Sequence, residues 1–576
     1  MNAKLALAAA AALLVCPTIA RAGGFDELPD QGAQAMGRGA TFTAKADDAT
    51  AIYYNVAGLA RQRGTKLQLS ANFHFNSMKF QRAGSYVDDP QDPLTNWGGE
   101  KYPLVEDKNA SFTLPMLAVT SDFGYFDRLT FGLGVFGPSA TGRTFPLGIN
   151  GQPSPARYDH VQSQSTIIFP TLGAGYRITE HLDIGLSGIL ALAKLNEMSI
   201  AYADSGGGTC KNPEYQPCDV EGRLQAEGTG AGAALGVMYR PFEWLQLGGQ
   251  VRSTMKVNAN GSTTAKLGGG GPDKKAGDPV AATTAVEMPW IIRLGGRYIQ
   301  MEKTATAKRE VWDAELDLTF EAWGATASPT VTTADQGLGT GPSTITSVQN
   351  WKNTFSVRMG GAYNMPLDPE SGSLVVFRAG AYYDAPTTDE QYTRIATNTL
   401  AKLAGTIGVG YQRGAFTVNA AYGAVLSFSR TVSNGEIRPE NPTKSESVDG
   451  NGDPLPAVNN GDYSAFSHVV SLGVEVNFEA FFRDRKPKFG DAEYEDLDTG
   501  DKPKARPKKD DEKEGAGAEP QKTDAVTGVR KPAPEQVDPP GTWWKPGVPY
   551  SQLKDYDPGA AEDTESPPPR KKREVR

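Results

Sequence analysis

The chain is poor in cysteine and histidine, carries no surplus of positive charge and, beyond its first two dozen residues, has no long apolar run. Each shortage removes a class of function. No stretch approaches the roughly 18 consecutive apolar residues of a membrane helix, so helical spans are not expected. A net charge of −9 argues against nucleic acid as a partner. The four histidines, His74, His160, His181 and His468, are scattered without metal-ligand spacing. No set of Ser, His and acid stands out, so an enzyme is not expected and no catalytic residue is named. Asp449-Gly450-Asn451-Gly452-Asp453 looks like the start of a calcium loop, but Pro454 stands where the turn needs Gly and Asn460 where a bidentate Glu should follow. Gly228, Gly230 and Gly232 lie in a strand pattern with no following helix, which is not how a phosphate loop is built. Neither a metal nor a cofactor is expected.

What is present points outward from the cytoplasm. Lys4, the apolar run Leu5 to Val15 and the small-residue site Ala20-Arg21-Ala22 form a secretory signal over residues 1–22. Cys16 falls inside it, and Leu14-Val15 lacks the small residues that lipid attachment favours. Cys210 and Cys218 then remain, an even pair that reads as a disulfide closing a short outer loop.

A barrel is the other structure that satisfies its backbone in lipid. The 65 Gly, 21 Tyr and 23 Phe and the 39% hydrophobic content fit a wall that is apolar on one side only. Leu67, Leu69, Ala71, Phe73 and Phe75 share one face of a strand, and Gln68, Ser70, Asn72, His74 and Asn76 the other. In Leu245 to Lys256, Gln246, Gln250, Arg252 and Thr254 oppose Leu247, Val251 and Met255, and Val470 to Phe478 alternates in the same way. The apolar face would meet lipid and the polar face the lumen.

The fold class expected is all-β, a transmembrane antiparallel barrel of about fourteen strands. The alternation predicts spans 66–80, 110–122, 129–137, 162–178, 182–201, 226–239, 244–258, 281–299, 309–324, 349–363, 374–384, 399–412, 415–430 and 464–478. Connections alternate short and long, which puts both chain ends in the periplasm. Residues 23–65 precede the wall, which occupies 66–482. From 483 to 576 the chain is Pro-rich and densely charged, a periplasmic tail that cannot bury a core and should be disordered. Its aromatic island, Trp543-Trp544 to Tyr550, reads either as a docking motif for a periplasmic partner or as part of a passive spacer.

Residues 25–60, FDELPDQGAQAMGRGATFTAKADDATAIYYNVAGLA, closely resemble the N-terminal hatch of the long-chain fatty-acid transporter (FadL/TodX) family. The resemblance rests on Gly32, Met36-Gly37-Arg38-Gly39, Ala46-Asp47-Asp48 and the turn Asn55-Val56-Ala57-Gly58. Weaker echoes follow in Phe131 to Gly134, Pro170 to Tyr176, Glu287 to Trp290, and Arg378 to Tyr382. It implies a fourteen-stranded barrel of the outer membrane with a hatch in its lumen. The implied function is passive uptake of long-chain fatty acids or other hydrophobic small molecules, with lateral release through the wall. Hatch residues carried over are Gly32, Gly37, Gly39, Asp48, Asn55, Ala57 and Gly58. The lateral opening of the family maps onto the third strand, at Gly132, Gly134, Gly137 and Pro138. Two departures stand out: Val56 replaces the usual proline, and the chain continues far past the last strand.

Parity assigns Arg252, Arg293, Arg297, Arg358 and Arg378 to the lumen. Arg252, Arg293, Arg358 and Arg378 are candidates to hold a ligand carboxylate, because a guanidinium pairs with both its oxygens. The competing role is structural, with pairs to Glu287, Glu315 or Asp317 or to the hatch. The partners expected are outer-membrane lipid and a hydrophobic substrate, and the state expected is a monomer. The alternative function is a structural or adhesive barrel whose loops or tail bind partners.

Overall fold

The computed structural model describes residues 31–481 apart from 88–96, 109–110, 141, 204–215, 268–276, 304–307, 335–342, 369–372, 442–446 and 450. The signal segment, residues 23–30, Cys210 and the tail lie outside the described residues. Cys218 is buried and disulfide-bonded.

Fourteen antiparallel strands close on themselves as a barrel. They are β1 Thr65–Arg82, β2 Ser111–Ser121, β3 Leu129–Ala140, β4 Thr166–Arg177, β5 Leu182–Tyr202, β6 Asp219–Phe242 and β7, in two pieces, Leu245–Arg252 and Met255–Leu267. Then follow β8, also in two pieces, Val280–Met288 and Ile291–Lys303, β9 Lys308–Glu321, β10 Thr354–Asp368, β11 Ser373–Asp384, β12 Lys402–Arg413, β13 Phe416–Val432 and β14 Gly461–Asn477. Each strand pairs with its sequence neighbours. β14 returns to β1 in unbroken register from Lys66↔Asn477 to Arg82↔Gly461, so no edge is left open there.

The two-residue period decides which side faces lipid. On β1, Leu69 and Phe75 are each 50% exposed, while Gln68, Asn72 and His74 are buried against the lumen contents. The periplasmic rim carries Tyr125, Phe126, Trp244, Tyr298 and Phe416, all exposed, with Phe242 stacked on Trp244 at 5.2 Å. Such aromatic belts sit at the headgroup level because one end of each ring is apolar and the other tolerates water. The tight β2–β3 turn takes left-handed backbone at Phe123 and Gly124 and is capped by the Asp122 carboxylate, which accepts from Gly124 N at 2.9 Å.

Three strands depart from the simple alternation. The tenth strand is Thr354–Asp368 rather than 349–363, because Trp351 belongs to an outer loop where it packs edge-on against Trp323 at 5.1 Å. β7 breaks at Ser253-Thr254 and β8 at Pro289-Trp290, directly opposite each other. Each break shifts the alternation by one residue and so reverses the face: Gln250 and Arg252 point inward before it on β7, Met255 and Val257 after it. Met255, expected on the lipid side with Leu247 and Val251, is fully buried in the lumen. Glu287, offered as a lumen acid, is half-buried on the side opposite the buried Val286 and Met288.

The hatch occupies the lumen as two single-turn helices, α1 Ala33–Met36 and α2 Ala51–Tyr54, and a 3-10 turn, Val56–Arg61. The largest hydrophobic cluster is shared between hatch and wall, with Phe42, Ile52, Tyr54, Val56 and Leu59 packed against residues of β2 to β8.

Above the membrane, loops pack into a cap. Arg394 pairs with Asp159 at 2.6 Å and Arg157 with Asp219 at 2.8 Å, all four buried. His160 lies under this layer, edge-on to Phe145 at 6.3 Å. Burial, with Arg143 and Arg394 adding repulsion, pushes its imidazole from the ordinary 6.5 down to about 3. The closed cap therefore refuses a proton that an open cap accepts, and this contribution, intact above pH 6.5, is lost as pH falls toward 3. Glu440 has the opposite sign: burial raises it from 4.5 to about 7, so its contribution favours closure as pH falls through that window. Comparing wild type with His160→Asn isolates the histidine. Protease cleavage of the outer loops should rise more steeply between pH 7 and pH 4 in the wild type than in the variant, and identical profiles would contradict the assignment.

Candidate functional site

Three carboxylates on the lumenal face of β9, Asp313, Glu315 and Asp317, hold the hatch. Asp313 takes both terminal nitrogens of Arg38, at 2.8 and 2.7 Å, and Glu315 takes a further bond from Arg38 Nη2 at 3.1 Å. Asp317 accepts from the backbone N–H groups of Phe42 and Thr43, both at 3.0 Å, and Glu315 from Ala44 N at 2.7 Å. Arg297 of β8 closes the network on Asp313 at 2.7 Å. Side-by-side acids are tolerated because cations and N–H donors surround them.

The carried-over hatch residues have defined tasks. Gly39 adopts left-handed backbone (φ 69), and a side chain there would strike the main chain of Ala381. Gly32 is likewise left-handed, Gly37 packs on Gly408, and Gly58 lies against the carbonyl of Ala46. Asp48 accepts from Thr50 N at 2.8 Å and Gln68 Nε2 at 3.2 Å, which ties the hatch to β1. Asn55 caps the 3-10 turn by accepting from Ala57 N and reaches Thr43 O at 2.8 Å and Val237 O at 3.0 Å. Val56 in place of proline keeps an N–H, which donates to Gln250 Oε1 at 3.0 Å. That bond to the wall replaces the restraint a ring would supply.

The lumen is divided by polarity. From β2 to β8 it carries a large apolar cluster, in which Met116, Phe136, Phe169, Leu195, Met238, Met255 and Met288 join the hatch tyrosines, with Gln250, Arg252, Arg293 and Arg297 buried on the same strands. From β9 round to β1 it is polar, with Glu315, Arg358, Arg378, Asn419, Ser471, Asn72 and Gln68 buried. The even alternation of the sequence showed where the lumen lies but not that half of it is apolar. Beneath the hatch, at the periplasmic end, lie two cavities of about 470 Å³ and about 290 Å³, which share the charged residues Lys45, Asp47, Lys66 and Glu310 as lining.

All five arginines face inward and are buried, but they are not equivalent. Arg358 pairs with Asp384 at 2.7 Å and Arg297 with Asp313, which makes both structural. Arg378 bonds to neutral groups, Asn419 Oδ1 at 2.9 Å and Gln34 Oε1 at 3.1 Å, and borders the smaller cavity. Arg252 lies over the Phe169 ring at 5.6 Å. Arg293 lies over the Tyr53 ring at 5.1 Å and bonds weakly to Tyr53 O at 3.4 Å. Among the described residues no carboxylate pairs with Arg293 or Arg378.

The third strand corrects one expectation. Gly132 and Gly134 are paired on both sides, to Thr120 and Gly173 and to Ala118 and Thr171, so they do not weaken the wall. The β2–β3 ladder instead stops at Leu117↔Val135. Above it β3 bulges between Phe136 and Ser139, the interval that holds Gly137 and Pro138. The freed Gly137 carbonyl accepts from Gln31 Nε2 of the hatch at 3.1 Å, and the Leu114 side chain fills the seam.

Residues 13–466 match the family described as outer membrane protein transport protein (OMPP1/FadL/TodX). The chain belongs to this family. It is a transporter of hydrophobic compounds in the outer membrane. Among solved structures it is similar to a FadL homologue of Pseudomonas aeruginosa, with TM-score 0.61, 16% identity and coverage of 79% of this chain and 100% of that one. It is also similar to the Pseudomonas putida toluene transporter TodX (TM-score 0.55, 16% identity, 79% and 99% covered) and to the Ralstonia pickettii toluene transporter TbuX (0.53, 14%, 78% and 99%). At these identities the likeness shows the shared fold. No curated protein matches.

Arg38→Ala should unseat the hatch. It removes the bidentate partner of Asp313 and one donor of Glu315, and breaking a buried ion network by removing one member costs about 3–5 kcal/mol. The expected outcome is a barrel that still migrates as folded before boiling but conducts ions in planar bilayers more often than wild type. Conductance equal to wild type would show that Arg38 does not seat the plug.

Proposed function

We propose that hydrophobic small molecules, long-chain fatty acids among them, pass along the apolar half of the lumen and leave sideways through the β2–β3 seam into the outer membrane. The observation that carries this reading is continuity. Met116 of β2 and Phe136 of β3, which flank the seam, belong to the same apolar cluster as Tyr53, Phe169 and Met288 deeper in the lumen. An apolar solute following that lining reaches a break in the wall without meeting water. The periplasmic cavities below the hatch are lined by many charged side chains, Lys45, Asp47, Lys66 and Glu310 in both. Two of the similar structures are named as toluene transporters, and a single aromatic ring would also suit the lining.

A β-carbon at Gly137 would lie 3.8 Å from Leu114 Cβ, about the mean separation across a disulfide. The double variant Leu114→Cys/Gly137→Cys should therefore staple the seam when oxidised. Uptake of labelled oleate and of toluene by cells lacking their own transporters should stop and should return on reduction, with each single variant unaffected. Full uptake through the oxidised protein would exclude the seam as the exit.

Among the arginines, Arg293 is the one we assign to a substrate carboxylate, because it borders the apolar lining and has no ion pair among the described residues. Arg293→Ala should weaken binding of a fatty acid more than tenfold relative to the matching alcohol, the equivalent of about 1.5–3 kcal/mol for a buried charge-assisted contact. Equal losses for acid and alcohol, measured by calorimetry, would reduce Arg293 to a wall residue.

A further inference from the structure

β6 presents Gly228, Gly230 and Gly232 on the face that carries Ala226 and Ala234 inward, so at this height it offers the lumen no side chains. β7 uses the space. A side chain at Gly228 would strike the carbonyl of Asn258, at Gly230 the carbonyl of Lys256, and at Gly232 the Met255 side chain. The paired breaks in β7 and β8 fix this indentation. Ser253 N donates to Ala233 O at 2.8 Å, Thr254 Oγ1 donates to Met288 O at 2.7 Å, and Pro289 has no N–H to continue the ladder. The pairing resumes with Met255 directly opposite Met288, a spacing at which side chains touch. Both are buried, at 0% and 6% exposure, in the apolar cluster. Arg252, on the other side of the break, reaches Phe169 on β4.

We propose that Met255 and Met288 form a thioether ledge that selects substrates by cross-section, passing slender flexible chains and holding back rigid fused rings. The inference rests on the transport reading above and adds the element that sets its specificity. A methionine has three rotatable bonds and no branch, so the ledge yields to a narrow chain by rotamer change. Its backbone does not yield, because β7 is pressed against bare main chain on β6. A solute wider than the rotamers can clear has nowhere to displace the wall.

The test is uptake of dodecanol and of pyrene, both uncharged, by cells lacking their own transporters, normalised to the heat-modifiable band of folded barrel. Met255→Ala/Met288→Ala should raise pyrene uptake at least about tenfold, the lower end of what one methylene discriminates in an apolar pocket, and leave dodecanol within about twofold. The volume-keeping Met255→Leu/Met288→Leu should match wild type. If the double alanine variant gives no folded band, the single variants make the same comparison. An unchanged ratio of pyrene to dodecanol, whether both rise or neither does, overturns the ledge. Wild type taking up neither probe above control cells would instead overturn the transport reading itself.

Discussion

The whole arrangement depends on carboxylates of the wall gripping backbone N–H groups of the plug. Asp317 and Glu315 hold the segment from Phe42 to Ala44 by its main-chain N–H groups. Such bonds fix position and orientation together, since a peptide N–H points in one direction only. Arg38 adds a bidentate pair to Asp313, and the three acids recur at every second residue of one strand. The period of a β-strand places all three on one lumenal face. Everything beyond follows from that placement: Tyr53 and Tyr54 face the apolar lining, Asn55 reaches β6, and Gln31 reaches the seam.

This grip is not a source of great stability. Desolvating three acids and two guanidiniums consumes most of what their pairing returns. What it provides is one register between hatch and wall. A plug held by apolar contact alone slides, because such contacts are indifferent to a shift of one residue. Glycines on the opposing strands complete the constraint: at Gly360 and Gly380 the main chain of Arg38 lies where side chains would stand. The close approach leaves room for neither a side chain nor a second arrangement.

Much of the barrel was legible in the sequence because alternation is a local signal. Strand number, the short and long connections and the inward set of arginines all follow from parity and turn residues. The hatch was legible through its glycines and Asn55, which the backbone requires. Two things were not. Parity is carried forward only while the strand is unbroken, and the matched two-residue breaks at Ser253-Thr254 and Pro289-Trp290 reverse it twice. Met255 was therefore placed among lipid, and Glu287 in the lumen. Pro289 is the one residue there that warned of a break. The apolar half of the lumen was also hidden. Where both faces of a strand are apolar, as in Leu186 to Leu195, alternation no longer tells lipid from lumen.

On the proposed route, that apolar half would let a barrel this wide pass a hydrophobic solute without a water-filled path for ions. A water-filled route would carry protons and salt whenever it carried substrate. Here much of the polar half of the lumen is occupied by ion pairs and by hatch backbone bonded to wall carboxylates. The apolar half holds no water at low cost, because a small hydrophobic space gives water no hydrogen bonds. A solute that shares the chemistry of that lining displaces side chains rather than solvent. Lateral exit of the proposed kind through the seam between β2 and β3 would need no opening in the ladder. The ladder is absent there already, and among the described residues the hydrogen bond from Gln31 to Gly137 and the side chain of Leu114 bridge it. A closure made of one bond and one leucine yields at a small fraction of the energy that unpairing two strands would demand.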